Sequence, residues 1–162
     1  MPIIRLETII TTPIQIVFNL SRSIDLHEIS TKQTNEKAIA GITSGLIKKG
    51  ESVTWRAKHF GVYHQLTTKI TDFKSPHYFV DEMEKGIFKS FKHEHVFEEN
   101  EVGTLMKDVF DYQSPLGILG RLADRLFLKR YMTELLIKRN QTIKLYAESG
   151  QWETILRKPN KK

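Results

Sequence analysis

The chain has 162 residues, 40% of them hydrophobic, and 25 Lys and Arg against 19 Asp and Glu give it a formal net charge of +6. That length suits one domain, large enough to bury a core and still enclose a cavity. With no cysteine, disulfides and thiol-based metal or nucleophile chemistry are excluded. The basic balance permits attraction to an acidic partner or a membrane surface. However, Lys129, Arg130, Lys138, Arg139 and Lys144 cluster toward the C-terminus, and Arg157, Lys158, Lys161 and Lys162 form a terminal group. These read as a solvated helix face and a tail. Basic residues interleaved with aromatics on a sheet would favour nucleic acid, and no convincing set is present, so no nucleic-acid partner is expected.

Met1-Pro2-Ile3-Ile4-Arg5 lacks the basic-then-apolar order of a secretory signal, and no apolar run reaches the length of a membrane span. Together with the missing cysteines, this sets the expectation of a cytoplasmic protein. The expected organisation is one domain over residues 1–150 and a basic tail over 151–162.

In chain order, Ile3 to Ile10 alternates as a first strand. Thr12-Pro13 opens a short helix in the manner of an N-cap followed by proline, and Ser23 to Ser30 forms a second. Ala38 to Leu46 reads as a strand that Gly41 and Gly45 bend or bulge. Ser52–Phe60, Val62–Phe73, His77–Glu84, Lys89–Glu98 and Gly103–Tyr112 follow as strands separated by short turns. Short connections between consecutive strands imply an antiparallel meander. Arg56 and Lys58 are expected to pair with Glu82 and Glu94 on its outer face.

Ser114-Pro115 then opens a long helix from Leu116 to Glu148, and Gly150 ends it. Leu119, Leu122, Ala123 and Leu126 keep helical spacing on one face, whereas Leu128, Met132, Leu135, Leu136 and Ile143 keep it on another. Either the helix breaks near residues 127–130, so that its first part is a lid, or one helix is buried on two sides. The fold class is α+β: a curved antiparallel sheet of about six to seven strands around a long C-terminal helix, with two short helices after the first strand.

That order resembles the helix-grip fold of the START-like, or SRPBCC, superfamily, which includes polyketide cyclase/dehydrase-like and coenzyme Q-binding proteins. The resemblance rests on Thr12-Pro13 with Val17-Phe18, on the run from Gly50 to Gly61, on Phe79-Val80-Asp81-Glu82-Met83, on Phe91 to Phe97, and on Pro115-Leu116-Gly117. These stretches are similar to an uncharacterised bacterial branch. The resemblance implies a hydrophobic cavity between sheet and helix. It implies no particular chemistry, because such folds keep their shape while changing ligands.

Strand alternation then supplies candidate ligand-binding residues: Trp55, Ala57, His59, Leu66, Thr68, Phe91, His93, His95, Phe97, Phe110 and Tyr112, with Met132 and Leu136 from the helix. His93 and His95 stand at i and i+2 on one strand and point the same way. With His59 they can be structural, can act as acid and base near neutral pH, or can face a metal. No metal and no cofactor is expected. Asp108 and Asp81 are mid-strand carboxylates that must be exposed or paired, and pairing with a pocket histidine would orient its ring. His59, His93, His95 and Asp108 are the catalytic candidates.

No nucleophile elbow or phosphate-binding glycine loop appears. Three functions remain: a binder of a lipid, isoprenoid or aromatic polyketide-like molecule, with Gly117 and Gly120 letting Leu116 to Leu126 move as a gate; a cyclase-, dehydratase- or hydrolase-type enzyme using the histidines; and a basic module contacting an acidic partner or, transiently, a membrane surface.

Overall fold

The computed structural model describes residues 2–157. Its strands are β1 (Ile3–Ile10), β2 (Lys37–Gly41), β3 (Ser52–His59), β4 (Val62–Lys74), β5 (Tyr78–Lys85), β6 (Ser90–Asn100) and β7 (Gly103–Gln113). They form one curved antiparallel sheet in the order β1-β7-β6-β5-β4-β3-β2. β2 to β7 are a meander, and β7 returns to pair with β1 along its whole length. The helices α1 (Ile14–Ser21) and α2 (Ile24–Ser30) lie between β1 and β2. Ser23 caps α2 by accepting a hydrogen bond from the Leu26 amide.

The chain ends on one continuous helical run: α3 (Gly117–Ala123), a single wide π-turn over Asp124–Leu128, then α4 (Lys129–Glu148). Asp124 and Lys129, at the two joints, keep right-handed helical dihedrals. The helix therefore neither breaks nor runs regularly. A π-turn takes one residue more than an α-turn and so shifts the apolar stripe, which explains the two unmatched leucine faces. The second stripe packs on the sheet: Leu136, Ile143 and Ala147 are buried. The first does not, since Leu116, Leu119 and Leu126 are 79%, 68% and 70% exposed. Among the described residues, no helix is long and apolar enough to cross a membrane.

The core divides in two. Phe18 of α1 meets Phe73, Phe79 and Phe97 edge-on and, with Leu20, Leu26, Met106 and Ile143, fills one end of the sheet's grip. Ile4, Phe91, Phe110, Tyr112 and Leu136 fill the other. The space between them holds the candidate site.

Several local expectations are corrected. The strand expected over Ala38–Leu46 stops at Gly41, whose φ of +72° and close approach to Ser52 (a Cβ would lie 2.2 Å from its carbonyl oxygen) suit only glycine. Beyond it the chain leaves the sheet, and Gly45 donates its amide to Asp25 of α2. Neither X-Pro pair acts as an N-cap and first helical residue. α1 begins after Pro13 with no side-chain cap, and α3 begins at Gly117, after Leu116 in a left-handed conformation. Ser114 instead donates to Asp124 at 2.6 Å.

Arg56 and Lys58 lie over the Tyr63 ring. They cannot reach Glu82 and Glu94 as cross-strand partners, because β4 separates β3 from β5. Gly120 is explained by packing: a Cβ there would lie 1.9 Å from the Pro115 carbonyl oxygen. Part of the expected tail is structured, since Trp152–Leu156 forms a short helix α5 with Ile155 buried against the core. Lys158, Lys161 and Lys162 lie outside the described residues.

Candidate functional site

A cavity of about 470 Å³ lies between the sheet and the C-terminal helix, within the range of small-molecule sites. Trp55, Leu66, Ile70, Phe79, Phe88, Phe91 and Phe110 line the sheet side, and Leu128, Met132, Leu135 and Leu136 the helix side. The sequence places these side chains there by two periods. Inward positions alternate along β3 to β7, and α4 supplies every third or fourth residue.

At the centre of the sheet this apolar wall carries a crosswise array of charge. In the β5–β6–β7 register, Asp81 stands opposite His93, and His95 opposite Asp108. The close contacts run along the diagonals. His95 Nε2 is 2.8 Å from Asp81 Oδ2, and His93 Nε2 is 2.9 Å from Asp108 Oδ1. The rings lie 3.8 Å apart between centroids. The helix closes the array: Asn140 Nδ2 donates to Asp108 Oδ2 at 2.7 Å. Arg139 Nη1 lies 3.7 Å from Asp108 Oδ1, while its Nη2 donates to the Ser21 carbonyl at 2.8 Å.

Burial, followed by repulsion from His95, pushes His93 down to about 4, so its ring is neutral near pH 7. Burial alone would raise Asp108, but the two histidines, His93 by its hydrogen bond and His95 from 3.0 Å, outweigh it and hold the carboxyl well below its ordinary range. Asp81 is lowered the same way: burial opposes ionisation, and His95 and His93 prevail.

A second polar group sits toward the β2–β3 edge. His59 Nδ1 is 2.8 Å from the Tyr131 hydroxyl. His27 stacks on Trp55 at 4.2 Å, with its Nε2 3.4 Å from Glu36 Oε1. All of these, with His64, border the cavity. Burial lowers His59; Glu36 partly offsets this and His64 adds to it. Glu36 is lowered, because His27 and then His59 outweigh the effect of burial.

Of the residues expected from sequence, Trp55, His59, Leu66, Thr68, Phe91, His93, His95, Phe110, Met132 and Leu136 border the cavity. Ala57, Phe97 and Tyr112 are buried but do not border it. Phe97 is taken up by the Phe18 cluster, and Tyr112 packs on Phe88 and Phe110. Asp108 lies behind the histidines, not on the cavity surface.

His27, Glu36, His64, Tyr131, Arg139 and Asn140 were not among the expected site residues. For Arg139 the expectation of a solvated helix face is overturned, since it is buried against Asp108. Its spacing from Met132, Leu136 and Ile143 already placed it on the inward stripe. For His27 and Glu36 no sequence signal was available, because loop closure brings them to Trp55.

No family model matches the sequence, and no curated protein matches it. Solved structures do. The chain is similar to TTHA0849 from Thermus thermophilus, with a TM-score of 0.69 and 18% identity over 88% of this chain and 97% of that one. Major latex-like protein 151 from Panax ginseng gives 0.66 and 14%, over 90% and 97%. SA2116 from Staphylococcus aureus, a protein of unknown function, gives 0.68 and 13%, over 93% and 95%. The chain shares their fold. At these identities the likeness shows the helix-grip architecture and nothing about chemistry.

Proposed function

We propose that the protein binds a largely apolar small molecule in the cavity between the sheet and α4, with the molecule's polar end against His93, His95 and Asp81. The observation that carries this reading is the cavity itself: about 470 Å³ of space walled mainly by aromatic and aliphatic side chains, with its histidines and carboxylates gathered in two places. Folding does not leave such a volume empty without cost, since unfilled apolar space forfeits packing energy. A lipid, an isoprenoid or an aromatic polyketide-like molecule matches the lining, and the absence of cysteine suits work in the cytoplasm. Native mass spectrometry of the purified protein, set against its denatured mass, tests the reading. A retained apolar compound supports it. It fails if no adduct is found and a panel of fluorescent apolar probes also shows no binding that Leu136→Trp, which fills the cavity, abolishes.

A second reading is favoured by one detail. His93 is neutral near pH 7, is oriented from behind by Asp108, and has its Nδ1 4.0 Å from Asp81 with no hydrogen bond of its own among the described residues. A base held by an orienting carboxylate is the arrangement proton-transfer catalysis uses, so a cyclase- or dehydratase-type activity is the enzymatic alternative. Unchanged turnover of an identified substrate in both His93→Gln and His95→Gln removes it.

A third reading rests on the exposed Leu116, Leu119 and Leu126 beside Arg121, Arg125, Lys129 and Arg130. That surface suits transient contact with an anionic membrane. Binding to anionic vesicles that weakens with salt is its signature, and its absence at low salt excludes the reading.

A further inference from the structure

The tautomers of the central array do not close. His93 Nε2 faces Asp108 and His95 Nε2 faces Asp81, so each Nε2 must carry a hydrogen to meet a carboxylate. His95 Nδ1 then lies 3.0 Å from Asp108 Oδ1 without a hydrogen bond. In a neutral ring that nitrogen is left unsatisfied beside a carboxylate oxygen. Charge is also unbalanced: Asp81 and Asp108 face the single guanidinium of Arg139, leaving one negative charge in a buried site. A bound cation answers both: it takes up the negative charge and frees the ring's hydrogen to move to His95 Nδ1.

We propose that Asp81 Oδ2, His93 Nδ1 and His95 Nε2 form a site for one divalent transition-metal ion of the zinc, iron or manganese class, opening onto the cavity. One ligand atom from each residue lies within 4.8 Å of the other two. Bonds of about 2.1 Å put neighbouring ligand atoms about 3.0 Å apart at octahedral angles and about 3.4 Å apart at tetrahedral ones. Asp81 Oδ2 and His95 Nε2 already stand at 2.8 Å, and His93 Nδ1 must close from 4.0 Å. It makes no hydrogen bond that would resist this.

With the ion bound, His95 Nε2 becomes a ligand, its hydrogen moves to Nδ1, and Nδ1 donates to Asp108. His93 keeps its Nε2 hydrogen on the same carboxylate. Asp108 then backs both imidazoles, as carboxylates commonly do behind metal-bound histidine. Asn140 and Arg139 hold it from the far side. Two imidazoles and one carboxylate leave coordination positions free toward the cavity, where a carbonyl, hydroxyl or carboxylate oxygen on a bound molecule would complete the shell. The site requires no apolar ligand, so the inference stands apart from the binding reading.

The test is titration of chelator-treated full-length protein with Co²⁺, read by visible absorption, and with Zn²⁺ by calorimetry. One equivalent should bind, with ligand-field bands of nitrogen and oxygen coordination. Asp81→Asn and His93→Gln should each weaken it more than about a hundredfold, beyond the loss expected from a supporting residue. His77→Gln, at an exposed position away from the cavity, should leave it unchanged. An apolar probe measured on the same samples separates the two ideas: probe binding with no metal binding overturns only the metal site. Absence of stoichiometric binding to the unaltered protein overturns it, as does loss in His64→Gln with retention in Asp81→Asn. If the two ligand variants do not fold, histidine NMR of the unaltered protein decides. Zn²⁺ must shift the buried His93 and His95 signals, and an unmoved pair overturns the proposal.

Discussion

The two polar groups in the cavity are built from different parts of the fold. Asp81, His93, His95 and Asp108 stand on three neighbouring strands in the middle of the sheet, and their spacing is set by ladder register. His27, Glu36, His59 and Tyr131 come from a helix, the segment after it, a strand end and α4. In the first group every carboxylate meets a histidine within hydrogen-bonding distance, and the helix side chains Arg139 and Asn140 lock it from above. In the second, one bond of 2.8 Å joins His59 to Tyr131, and the His27–Glu36 contact is longer at 3.4 Å. Central strands can hold charge in an apolar interior because backbone pairing fixes both partners beforehand. At the edge of the sheet, the same residue types remain separate contacts.

The sharpest way to break this contrast is Asp108→Ala. It strips His93 and Asn140 of their common acceptor and leaves the buried Arg139 guanidinium without the carboxylate 3.7 Å away. Stability should fall by about 3–5 kcal/mol, read by urea denaturation; a loss below about 1 kcal/mol would show that the array holds nothing together.

Acid comes next. His93 is near 4 in the folded protein, against about 6.5 in an unfolded chain. The fold favours the neutral ring, so this contribution is complete above the unfolded value and is lost as pH falls toward 4. Between pH 7 and 5 it amounts to roughly 2 kcal/mol, and His93→Gln should flatten that part of the profile. His59, lowered by burial too, acts in the same direction at the edge. The depressed Asp81 and Asp108 add their own loss only as pH falls below the ordinary carboxylate range.

Tyr131→Phe removes the one short bond of the edge group and should cost about 1 kcal/mol or less. A cost as large as that of Asp108→Ala would erase the distinction between the two regions. The smallest effect belongs to Leu122→Lys on the exposed stripe, which should leave stability within about 0.5 kcal/mol in the same denaturation assay.

The strands were legible because each inward face repeats every second residue: Phe91, His93, His95 and Phe97 against Met106, Asp108, Phe110 and Tyr112. The helix-grip order was legible for the same reason. What periodicity does not carry is register between strands, so the diagonal pairing of Asp81 with His95 was out of reach, although a histidine partner for Asp81 was an open alternative. Nor does it say which inward residue meets the cavity and which meets another side chain. Phe97 and Tyr112 have the right parity and go to packing. Arg139 looks like a surface charge by residue type, but its place on the inward stripe buries it. The non-local His27–Glu36–Trp55 contacts depend on where loops close, and no local pattern encodes that.

The wide turn at Asp124–Leu128 also bears on how the chain can change. A wide turn is the way a helix holds one residue more than its regular winding allows between two stretches that are each fixed by their surroundings. Deleting one residue there would rewind a regular turn and leave both helical stretches facing as they do, because the wide turn already absorbs the roughly 100° that one residue adds to a regular helix. Chain length at Asp124–Leu128 is therefore separable from the pocket: a turn that takes up or gives back a residue changes the count without moving either helical stretch.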